Sequence, residues 1–353
     1  MDKVKVGIIG TGSISQLHMA GYLALKNVEV VACCDINEKR ALDFAKKYEI
    51  GNVYTDFNEM LKMKNLDAVS VCTWNNGHAP VTIAALKAKK HVLCEKPPAM
   101  NVSEAIEMEN VAKESGRLLM IGFVRRFGKN TKIMQDFISN GTLGDIYYAK
   151  TSCVRRCGNP GGWFSDKKRS GGGPLIDLGV HMIDLARYLL GKPKAVTVSG
   201  ATFSKIGPRN NIKMVDRYRP ADVDDYCDVE DMAIAMIRFA NGAVLNVETS
   251  FSQHIKEEKL TLELYGSKGG AVMEPEMEIF TEDYDYLIDL KPRFNEDEDI
   301  FEANFKAETA HFIDCITNGT NCINPVEDGV ELMKILDAIY LSAETGREIL
   351  IEG

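Results

Sequence analysis

Two different patterns of apolar and polar positions divide the chain. Over about the first 120 residues, short β-branched runs alternate with amphipathic segments, and this order of strand, helix and strand predicts a parallel, doubly wound sheet. The predicted strands are Val4–Ile9, Val28–Cys34, Val53-Tyr54, Ala68–Cys72, His91–Cys94 and Leu118–Phe123. The predicted helices are Ser13–Leu25, Glu38–Tyr48, one capped by Asp56, Pro80–Lys89 and Ser103–Ser115.

After Phe123 the pattern changes to longer strands in which apolar and polar residues alternate. Asn241-Gly242 lies between two such runs and predicts a hairpin. The predicted strands are one from Ile146, Ala195–Lys205, Met232–Phe239, Ala243–Phe251, Lys259–Tyr265 and short ones near Ala271 and Met277. The predicted helices are Lys129–Ser139, Pro174–Leu190, Phe301–Thr317 and Pro325–Ser342. This half predicts an open, mostly antiparallel sheet with helices on one face.

The chain has 353 residues, more than one hydrophobic core usually serves, so we expect two domains, 1–123 and 124–353. Ile206–Val229 fits neither pattern: it is polar and holds two prolines and the aspartates Asp222, Asp224, Asp225 and Asp228. Such a segment is a lid, an interface arm or a solvated surface excursion, and the sequence leaves these alternatives open.

Composition narrows the class of protein. The net charge of -9 argues against a nucleic-acid partner, which needs a basic surface. No apolar run is long enough to span a membrane, and Met1 is followed at once by a predicted strand, so we expect neither membrane insertion nor a signal peptide. The nine cysteines include no CxxC pair, which favours reduced thiols in the cytoplasm. Cys153 and Cys157 would lie apart on one face of a strand with no nearby third ligand, so we expect no metal.

A glycine-rich turn follows the first strand and opens the first helix. In Gly10-Thr11-Gly12-Ser13-Ile14-Ser15, two of the three glycines of the dinucleotide-binding fingerprint are present, and Ser15 replaces the third. Gly10 allows the tight turn, and Gly12 lets a pyrophosphate approach the helix N-terminus, beside Ser13 and Ile14.

Asp35 ends the second predicted strand. A carboxylate at this position can accept both ribose hydroxyls of NAD and repels the additional phosphate of NADP, so we expect NAD, with NADP less favoured. The alternative is that Asp35 only caps the helix starting near Glu38.

Two further loops follow predicted strands at the edge of the sheet where ligands bind. The first is Thr73-Trp74-Asn75-Asn76-Gly77-His78 and the second is Glu95-Lys96-Pro97-Pro98. From this placement we expect Thr73 and His78 to lie at the cofactor. Lys96 comes directly after a buried strand, which favours a place at the cofactor cleft over an ordinary surface position.

A third candidate region is the helix that follows Ser170-Gly171-Gly172-Gly173-Pro174. The glycines predict a flexible segment that leads into the helix, and Pro174 is typical of the first turn of a helix. Leu175, Leu178, Met182, Leu185 and Leu189 form its core stripe, and Asp177, His181, Asp184 and Tyr188 form a second face. Asp177 and His181 are one turn apart, and a histidine beside a carboxylate can serve as a general base. Taken alone, the pair also fits a helix-dipole aspartate and a core histidine.

Together these motifs resemble the glucose–fructose oxidoreductase / inositol dehydrogenase (Gfo/Idh/MocA) family, over the whole chain. The resemblance rests on the glycine turn, Asp35, the Asn75 to His78 loop, Glu95-Lys96-Pro97 and Gly171–Asp184. It implies a dinucleotide-binding Rossmann domain (1–123) and a substrate-binding and oligomerisation domain (124–353), in homodimers or homotetramers. Trp74 departs from the family, which usually has proline there.

The resemblance implies that Lys96, Asp177 and His181 are the catalytic set, with Asn75 and Glu95 lining the nicotinamide end. We therefore expect an NAD-dependent dehydrogenase acting on a secondary alcohol of a sugar or cyclitol. In this reading His181 accepts the hydroxyl proton, Lys96 bonds the substrate oxygen, and Asp177 bonds the substrate and orients His181.

Candidates for shaping the substrate pocket are Arg125, Arg126 and Trp163, with Arg155 and Arg156 available for the carboxylate of a sugar acid. Each also has a surface or packing interpretation. Two other functions stay open. One is a glycoside hydrolase that uses bound NAD transiently, and the other is a non-enzymatic, NAD-bound regulatory protein, which would not need the Lys96, Asp177 and His181 set.

Overall fold

The computed structural model describes residues 3–213, 218–220, 226–295 and 299–351. The chain forms two compact units: Met1–Gly128 with Glu296–Val330, and Lys129–Asn295 with Glu331–Gly353. The predicted division after residue 123 placed residues 299–330 in the second domain, whereas the structure packs them on the first unit. Phe312 and Ile313 belong to the same buried cluster as Val6, Met19 and Leu93.

The first unit contains a parallel sheet of six strands within the described residues, in the order β3-β2-β1-β4-β5-β6. The strands are β1 (Val4–Ile9), β2 (Val28–Cys34), β3 (Asn52–Tyr54), β4 (Ala68–Val71), β5 (His91–Glu95) and β6 (Leu119–Gly122). The order reverses at β1, where β4 lies on the side opposite β2. Ligands bind at such a switch point, beyond the carboxyl ends of the strands. The predicted Rossmann fold is therefore confirmed.

Four helices of this unit begin where a short polar side chain accepts a free N–H group of the first turn. The capping residues are Asn37, Asp56, Asn101 and Asp299. The helices of the unit are α1 (Ser13–Leu23), α2 (Glu38–Tyr48), α3 (Phe57–Leu61), α4 (Asn75–Lys87), α5 (Val102–Ser115) and, from the later segment, α9 (Ile300–Asn318).

Helix α4 begins earlier than its predicted start at Pro80, and takes in most of the loop predicted from Thr73 to His78. A proline has no N–H to donate, so its usual place is the first turn of a helix. Here Pro80 lies inside the helix, where its side chain is exposed, and Asn75 and His78 are buried.

The second unit contains a mixed sheet of nine strands within the described part of the chain, in the order β14-β13-β12-β11-β7-β10-β9-β8-β15. All neighbouring pairs are antiparallel except β7 and β10. The strands are β7 (Ile146–Val154), β8 (Ala195–Phe203), β9 (Met232–Phe239), β10 (Val244–Ser250), β11 (Lys259–Gly266), β12 (Gly269–Glu274), β13 (Glu278–Asp283), β14 (Tyr286–Leu290) and β15 (Ile349–Leu350). The predicted mostly antiparallel sheet is confirmed, with β14 and β15 unpredicted.

The helices of the second unit are α6 (Lys129–Ser139), the short α7 (Lys167–Ser170), α8 (Val180–Leu189) and the later part of α10 (Val326–Thr345). Helices α6, α8 and α10 pack against the sheet. Leu245 and Val247 of β10 and Ala235 and Ile237 of β9 are buried on one face of the sheet, and a Cβ at Gly200 of β8 would meet Ile339 of α10.

The predicted helix Pro174–Leu190 differs from the structure in its first turn. Leu175–Gly179 is a π-helical turn, in which the N–H of Val180 bonds the carbonyl of Leu175 five residues earlier, and α8 follows directly. The predicted core stripe is confirmed, because all five of its apolar residues are buried. Single π-helical turns occur often at functional sites.

The unassigned segment 206–229 lies partly outside the described residues, and with it Asp222, Asp224 and Asp225. Asp228 is described: its carboxylate accepts from the N–H of Lys167 at 2.7 Å and from the Tyr226 hydroxyl at 2.9 Å. No helix among the described residues is long and apolar enough to cross a membrane.

Candidate active site

The glycine turn of the first unit has the geometry of a dinucleotide site. Gly10 has φ of 90°, and a Cβ there would overlap the backbone carbonyl of Cys72. At Gly12, the N-cap of α1, no atom lies within 4 Å of an added Cβ position, and the helix starts without a side-chain cap. The N-terminus of α1 therefore offers N–H groups and open space to an anion. The Ser15 hydroxyl turns back to the Gly12 carbonyl at 2.6 Å, so it fits where a third glycine was expected.

Asp35 is held next to this turn. One carboxylate oxygen accepts from the N–H of Thr11 at 2.9 Å and from its hydroxyl at 3.0 Å, and the other accepts from the N–H of Asn37 at 2.8 Å. The cap of α2 is Asn37, which accepts from the N–H of Arg40, so Asp35 is more than a helix cap. Arg40 lies 3.8 Å from Asp35. A fixed, buried carboxylate beside the phosphate-binding turn fits the ribose of NAD.

Lys96 is half-buried directly after β5. On its N-terminal side, its own backbone N–H bonds the Glu95 carboxylate at 3.2 Å. The other Glu95 oxygen lies 2.8 Å from Nε2 of His18, and Nδ1 of His18 lies 3.1 Å from the Ser70 hydroxyl. His18 is fully buried on α1. The structure therefore places the Glu95 side chain in an internal network beneath Lys96.

On the C-terminal side of Lys96 lies a second buried histidine. His78 Nδ1 is 2.6 Å from the Pro97 carbonyl and Nε2 is 3.1 Å from the Thr73 carbonyl. His78 therefore ties the start of α4 to the segment after β5, with both ring nitrogens on main-chain oxygens. Thr73 itself is half-buried, and Asn75 is buried in the first turn of α4.

Burial and the neighbouring polar groups together determine the pKa values of Glu95 and His78. Burial acts to raise the pKa of Glu95, but the hydrogen bond and charge of His18, with Lys96 and His78 nearby, bring that pKa below its usual range. Burial lowers the pKa of His78, against the opposing effect of the Pro97 carbonyl. Glu95 is thus an anion held by His18, close to the lysine ammonium.

In the second unit, Asp177 lies in the π-helical turn and His181 in the first turn of α8, and both are half-buried. Tyr188 is also half-buried, whereas Asp184 is buried. The predicted second face of the helix is therefore accessible at Asp177 and His181.

The glycine run before this helix is packed closely. A Cβ at Gly172 would overlap the Tyr340 hydroxyl, and a Cβ at Gly173 would overlap the backbone carbonyl of Glu230. The Glu230 carboxylate accepts from the N–H groups of Gly173 at 2.9 Å and Leu175 at 3.2 Å. The prediction of a flexible approach is wrong at these two positions, because glycine is required there by close contact.

The remaining candidates separate into different environments. Arg126 is buried and donates to the Ile323 carbonyl at 2.7 Å and to Asp328 at 2.8 Å, so it braces the chain within the first unit, whereas Arg125 is half-buried. Trp163 is half-buried and stacks on Phe164, with ring centroids 3.9 Å apart. Arg155 is half-buried and Arg156 is exposed.

Two groups among the described residues have the composition of a metal site: His18, Glu95 and Glu308, and His311, Cys315 and Cys322. In the first, the pair His18 and Glu95 is joined by the hydrogen bond described above. In the second, Nε2 of His311 accepts the N–H of Ile323 at 3.0 Å. The thiols of Cys33 and Cys34 are buried, and burial raises their pKa to about 11 and about 12, so both behave as small apolar groups.

Sequence reasoning did not identify His18 or Glu230. His18 lies on a mostly apolar helix and meets Glu95 only through the fold. Glu230 directly follows the segment that could not be assigned. Neither position carries a local motif, so a single sequence gives no signal for either residue.

A parallel sheet with a phosphate-binding turn, joined to a second unit with an open mixed sheet, defines the class of two-domain nucleotide-dependent oxidoreductases. Residues 4–123 match the oxidoreductase family described as having an NAD-binding Rossmann fold, and residues 135–351 match its C-terminal alpha/beta domain. The chain therefore belongs to the Gfo/Idh/MocA oxidoreductase family, as its motifs predicted.

Characterised relatives include dehydrogenases of sugars and cyclitols. The chain is 36% identical over 349 residues to D-glucoside 3-dehydrogenase of Escherichia coli (strain K12), covering 98% of this chain and 97% of the relative. It is 30% identical over 267 residues to myo-inositol 2-dehydrogenase of Thermotoga maritima, covering 75% and 74%. The structure matches levoglucosan dehydrogenase in complex with NADH and L-sorbose with a TM-score of 0.87 and 25% identity, covering 100% of both chains. These findings confirm an NAD-dependent enzyme acting on CH–OH groups.

Proposed function

We propose that the protein oxidises a secondary ring hydroxyl of a sugar, glycoside or cyclitol, with Lys96, Asp177 and His181 as catalytic residues. The observation that carries this proposal is the way in which Lys96 is held. Lys96 is half-buried at the carboxyl end of β5. The residue before it, Glu95, contacts the buried His18, and the residue after it, Pro97, contacts the buried His78. A lysine held this way is suited to a catalytic role and not to a mobile surface position.

The cofactor fits the first unit. We infer that Gly10, Gly12, Ser13 and Ile14 hold the pyrophosphate of NAD and that Asp35 holds its ribose. Thr73, Asn75 and Lys96 are proposed to lie at the nicotinamide end, with Glu95 and His78 acting from beneath through the contacts described above. Bound NAD supplies the hydride acceptor, and the protein residues orient the substrate and move its proton.

Each proposed catalytic group has a definite task. The Lys96 ammonium donates a hydrogen bond to the reacting oxygen and stabilises the negative charge that develops there. A ring nitrogen of His181 accepts the proton of the substrate hydroxyl. Asp177 forms a hydrogen bond with the substrate and orients His181. In the direction of reduction the same groups act in reverse. Arg125 and Trp163 are proposed to shape the substrate pocket.

The named activities of the relatives suggest which substrates to test first. A panel of D-glucosides, free aldoses, anhydrosugars and inositols, followed by NADH absorbance with NAD and NADP in parallel, tests the proposal. We expect NADH formation with at least one glycoside or cyclitol and a preference for NAD. Glycoside cleavage without net NADH would instead favour the NAD-using hydrolase, and cofactor binding without turnover on any substrate would favour a regulatory protein.

We also propose that the protein is a cytoplasmic homodimer or homotetramer. All nine cysteines lie in the described part of the chain and none of them forms a disulfide bond, which fits a reducing compartment. The sheet of the second unit exposes apolar side chains on the face opposite its helices, and Ile234 is 40% and Phe203 39% exposed there. An apolar sheet face of this kind fits burial against a second copy.

A further inference from the structure

Glu230 is a buried carboxylate two residues before the start of β9, and it accepts from three hydrogen-bond donors. Oε2 accepts from the N–H of Gly173 at 2.9 Å, and Oε1 accepts from the N–H of Leu175 at 3.2 Å and from the Tyr340 hydroxyl at 2.9 Å. Burial raises the pKa of Glu230, and the hydrogen bonds from Gly173, Tyr340 and Leu175 act against that rise. All of these residues belong to the second unit.

The two residues whose N–H groups donate to Glu230, Gly173 and Leu175, also accept hydrogen bonds through their own carbonyls from the backbone that carries the proposed catalytic residues. The Gly173 carbonyl accepts from the N–H of Asp177 at 3.1 Å. The Leu175 carbonyl accepts from the N–H of Val180, the residue before His181. A single side chain therefore holds the backbone on which both Asp177 and His181 are mounted.

The local backbone needs such a restraint. A π-helical turn is less favourable than an α-helical one and persists where other contacts hold it. Here the turn lies between a glycine run, which has little preference of its own, and α8. Glu230 and Tyr340 fill the space next to Gly172 and Gly173, so the run is fixed by packing as well as by hydrogen bonds.

We propose that Glu230 is a positioning residue that sets the orientation of Asp177 and His181 for proton transfer. The proposal rests on the proposed function, because it assumes that these two residues act on the substrate. Glu230 itself acts through the backbone of Gly173 and Leu175 and not on the reacting atoms.

Glu230→Gln tests this inference with almost no change in volume. The amide nitrogen cannot accept an N–H, so one of the two peptide contacts is lost. We expect kcat to fall roughly 10- to 100-fold, since small displacements of catalytic groups have effects of this size. The affinity for NAD, measured by fluorescence titration, should stay within about 2-fold because the cofactor residues lie in the first unit. The matched control is Glu331→Gln on α10, a carboxylate 16% exposed and paired with Lys334, which should keep wild-type kcat.

The pH dependence of kcat separates positioning from general loosening of the fold. If Glu230 positions His181, the acidic limb of the profile should shift in Glu230→Gln together with the fall in kcat. A variant with wild-type kcat and profile would overturn the proposal. A lower yield of active enzyme with an unchanged profile would do the same, since it indicates a structural role only.

A second variant covers the case in which Glu230→Gln does not fold. Tyr340→Phe removes the hydroxyl that donates to Glu230 and leaves the hydrogen bonds from the N–H groups of Gly173 and Leu175. We therefore expect kcat to fall by about 3-fold, less than in Glu230→Gln, and the pH profile of kcat to shift in the same direction as in that variant. An unchanged Tyr340→Phe enzyme would then count against the proposal. If His181→Ala kept full activity, the catalytic role that the proposed function gives to His181 would fail, and the positioning role of Glu230 with it. An inactive His181→Ala beside a fully active Glu230→Gln would contradict the positioning role alone.

Discussion

At the scale of single residues, Asp35 is the side chain on which cofactor choice depends. The structure shows it buried and fixed by Thr11 and Asn37, so its charge and lone pairs have a set direction. Asp35→Ala should weaken NAD binding by roughly 1.5–3 kcal/mol, because the charge-assisted hydrogen bond to the ribose is lost. The variant should also bind NAD and NADP with more similar affinities, because the carboxylate no longer repels the additional phosphate of NADP. Fluorescence titration with NADH and NADPH measures this.

Arg40 provides the control for that experiment, because it is the cation that lies near Asp35. Arg40→Ala should leave the preference for NAD in place or strengthen it. Equal affinity of the wild type for both dinucleotides would show that Asp35 does not select the cofactor.

Lys96 and His181 are expected to act in the chemical step. Lys96→Ala should reduce turnover roughly 100-fold or more, in line with loss of an oxyanion donor, with NAD affinity near normal. His181→Ala should flatten the acidic limb of the rate–pH profile for alcohol oxidation, because a protonated imidazole cannot accept the hydroxyl proton. Steady-state kinetics across pH, beside NADH titration, test both variants.

Two results would change this assignment. An active His181→Ala enzyme with the wild-type profile would return His181 to the role of a core histidine. A His181→Ala protein that fails to fold would have the same meaning and would leave Lys96 as the supported residue.

At the scale of elements, α9 shows how one histidine makes stability depend on pH. Burial lowers the pKa of His311 from 6.5, and its Nε2 accepts the N–H of Ile323, a contact that a protonated ring cannot make. The unfolded chain therefore binds a proton near pH 6.5 that the folded chain binds only at lower pH. The contribution of His311 to stability is present above pH 6.5 and is lost as the pH falls toward its folded-state pKa.

His311→Gln keeps an acceptor near the position of Nε2 and removes the titration. Urea unfolding of both proteins at pH 7.5 and about pH 5.5 should show a smaller loss of stability for the variant. If both proteins lost the same stability between the two pH values, other groups would account for the pH dependence. His78 and His91 are candidates, because burial lowers their pKa values too.

Elements also show what a single sequence can and cannot predict. Val4–Ile9, Glu38–Tyr48 and Met232–Phe239 match their predicted bounds, because strong periodicity and good caps both act within the segment. The start of α4 and the π-helical turn at Leu175–Gly179 were not predicted. Both depend on contacts with residues distant in sequence, His78 with Pro97 and Glu230 with Leu175. The same reason hid His18 and Glu230 as supports of the candidate site.

At the scale of the whole molecule, the sheet face that exposes Ile234 and Phe203 is the predicted interface. The pairing register places Ile234 of β9 opposite Glu248 of β10 on that face. Ile234→Asp adds a charge that a single subunit tolerates at its surface but that an interface would bury without a partner, so association should weaken by about 3 kcal/mol or more. Light scattering at micromolar concentration should show smaller particles.

Ile106 of α5 is the matched control, since it is 39% exposed and belongs to the first unit. Ile106→Asp should keep the wild-type mass. A wild-type protein that is already a monomer would overturn the proposed assembly, and a mass unchanged by Ile234→Asp would move the interface to another surface.

The segment 299–330 has a consequence for how the chain acquires its structure during synthesis. Phe305 packs against His18, and Phe312 and Ile313 complete the core around Met19 and Tyr22. The ribosome makes this segment only after nearly the whole of the second unit. A nascent chain ending near residue 290 therefore holds the phosphate-binding turn but leaves one side of α1 in water. The nucleotide-binding unit thus cannot complete its core until residues 129–295 of the second unit have been translated, although its own sequence begins the chain.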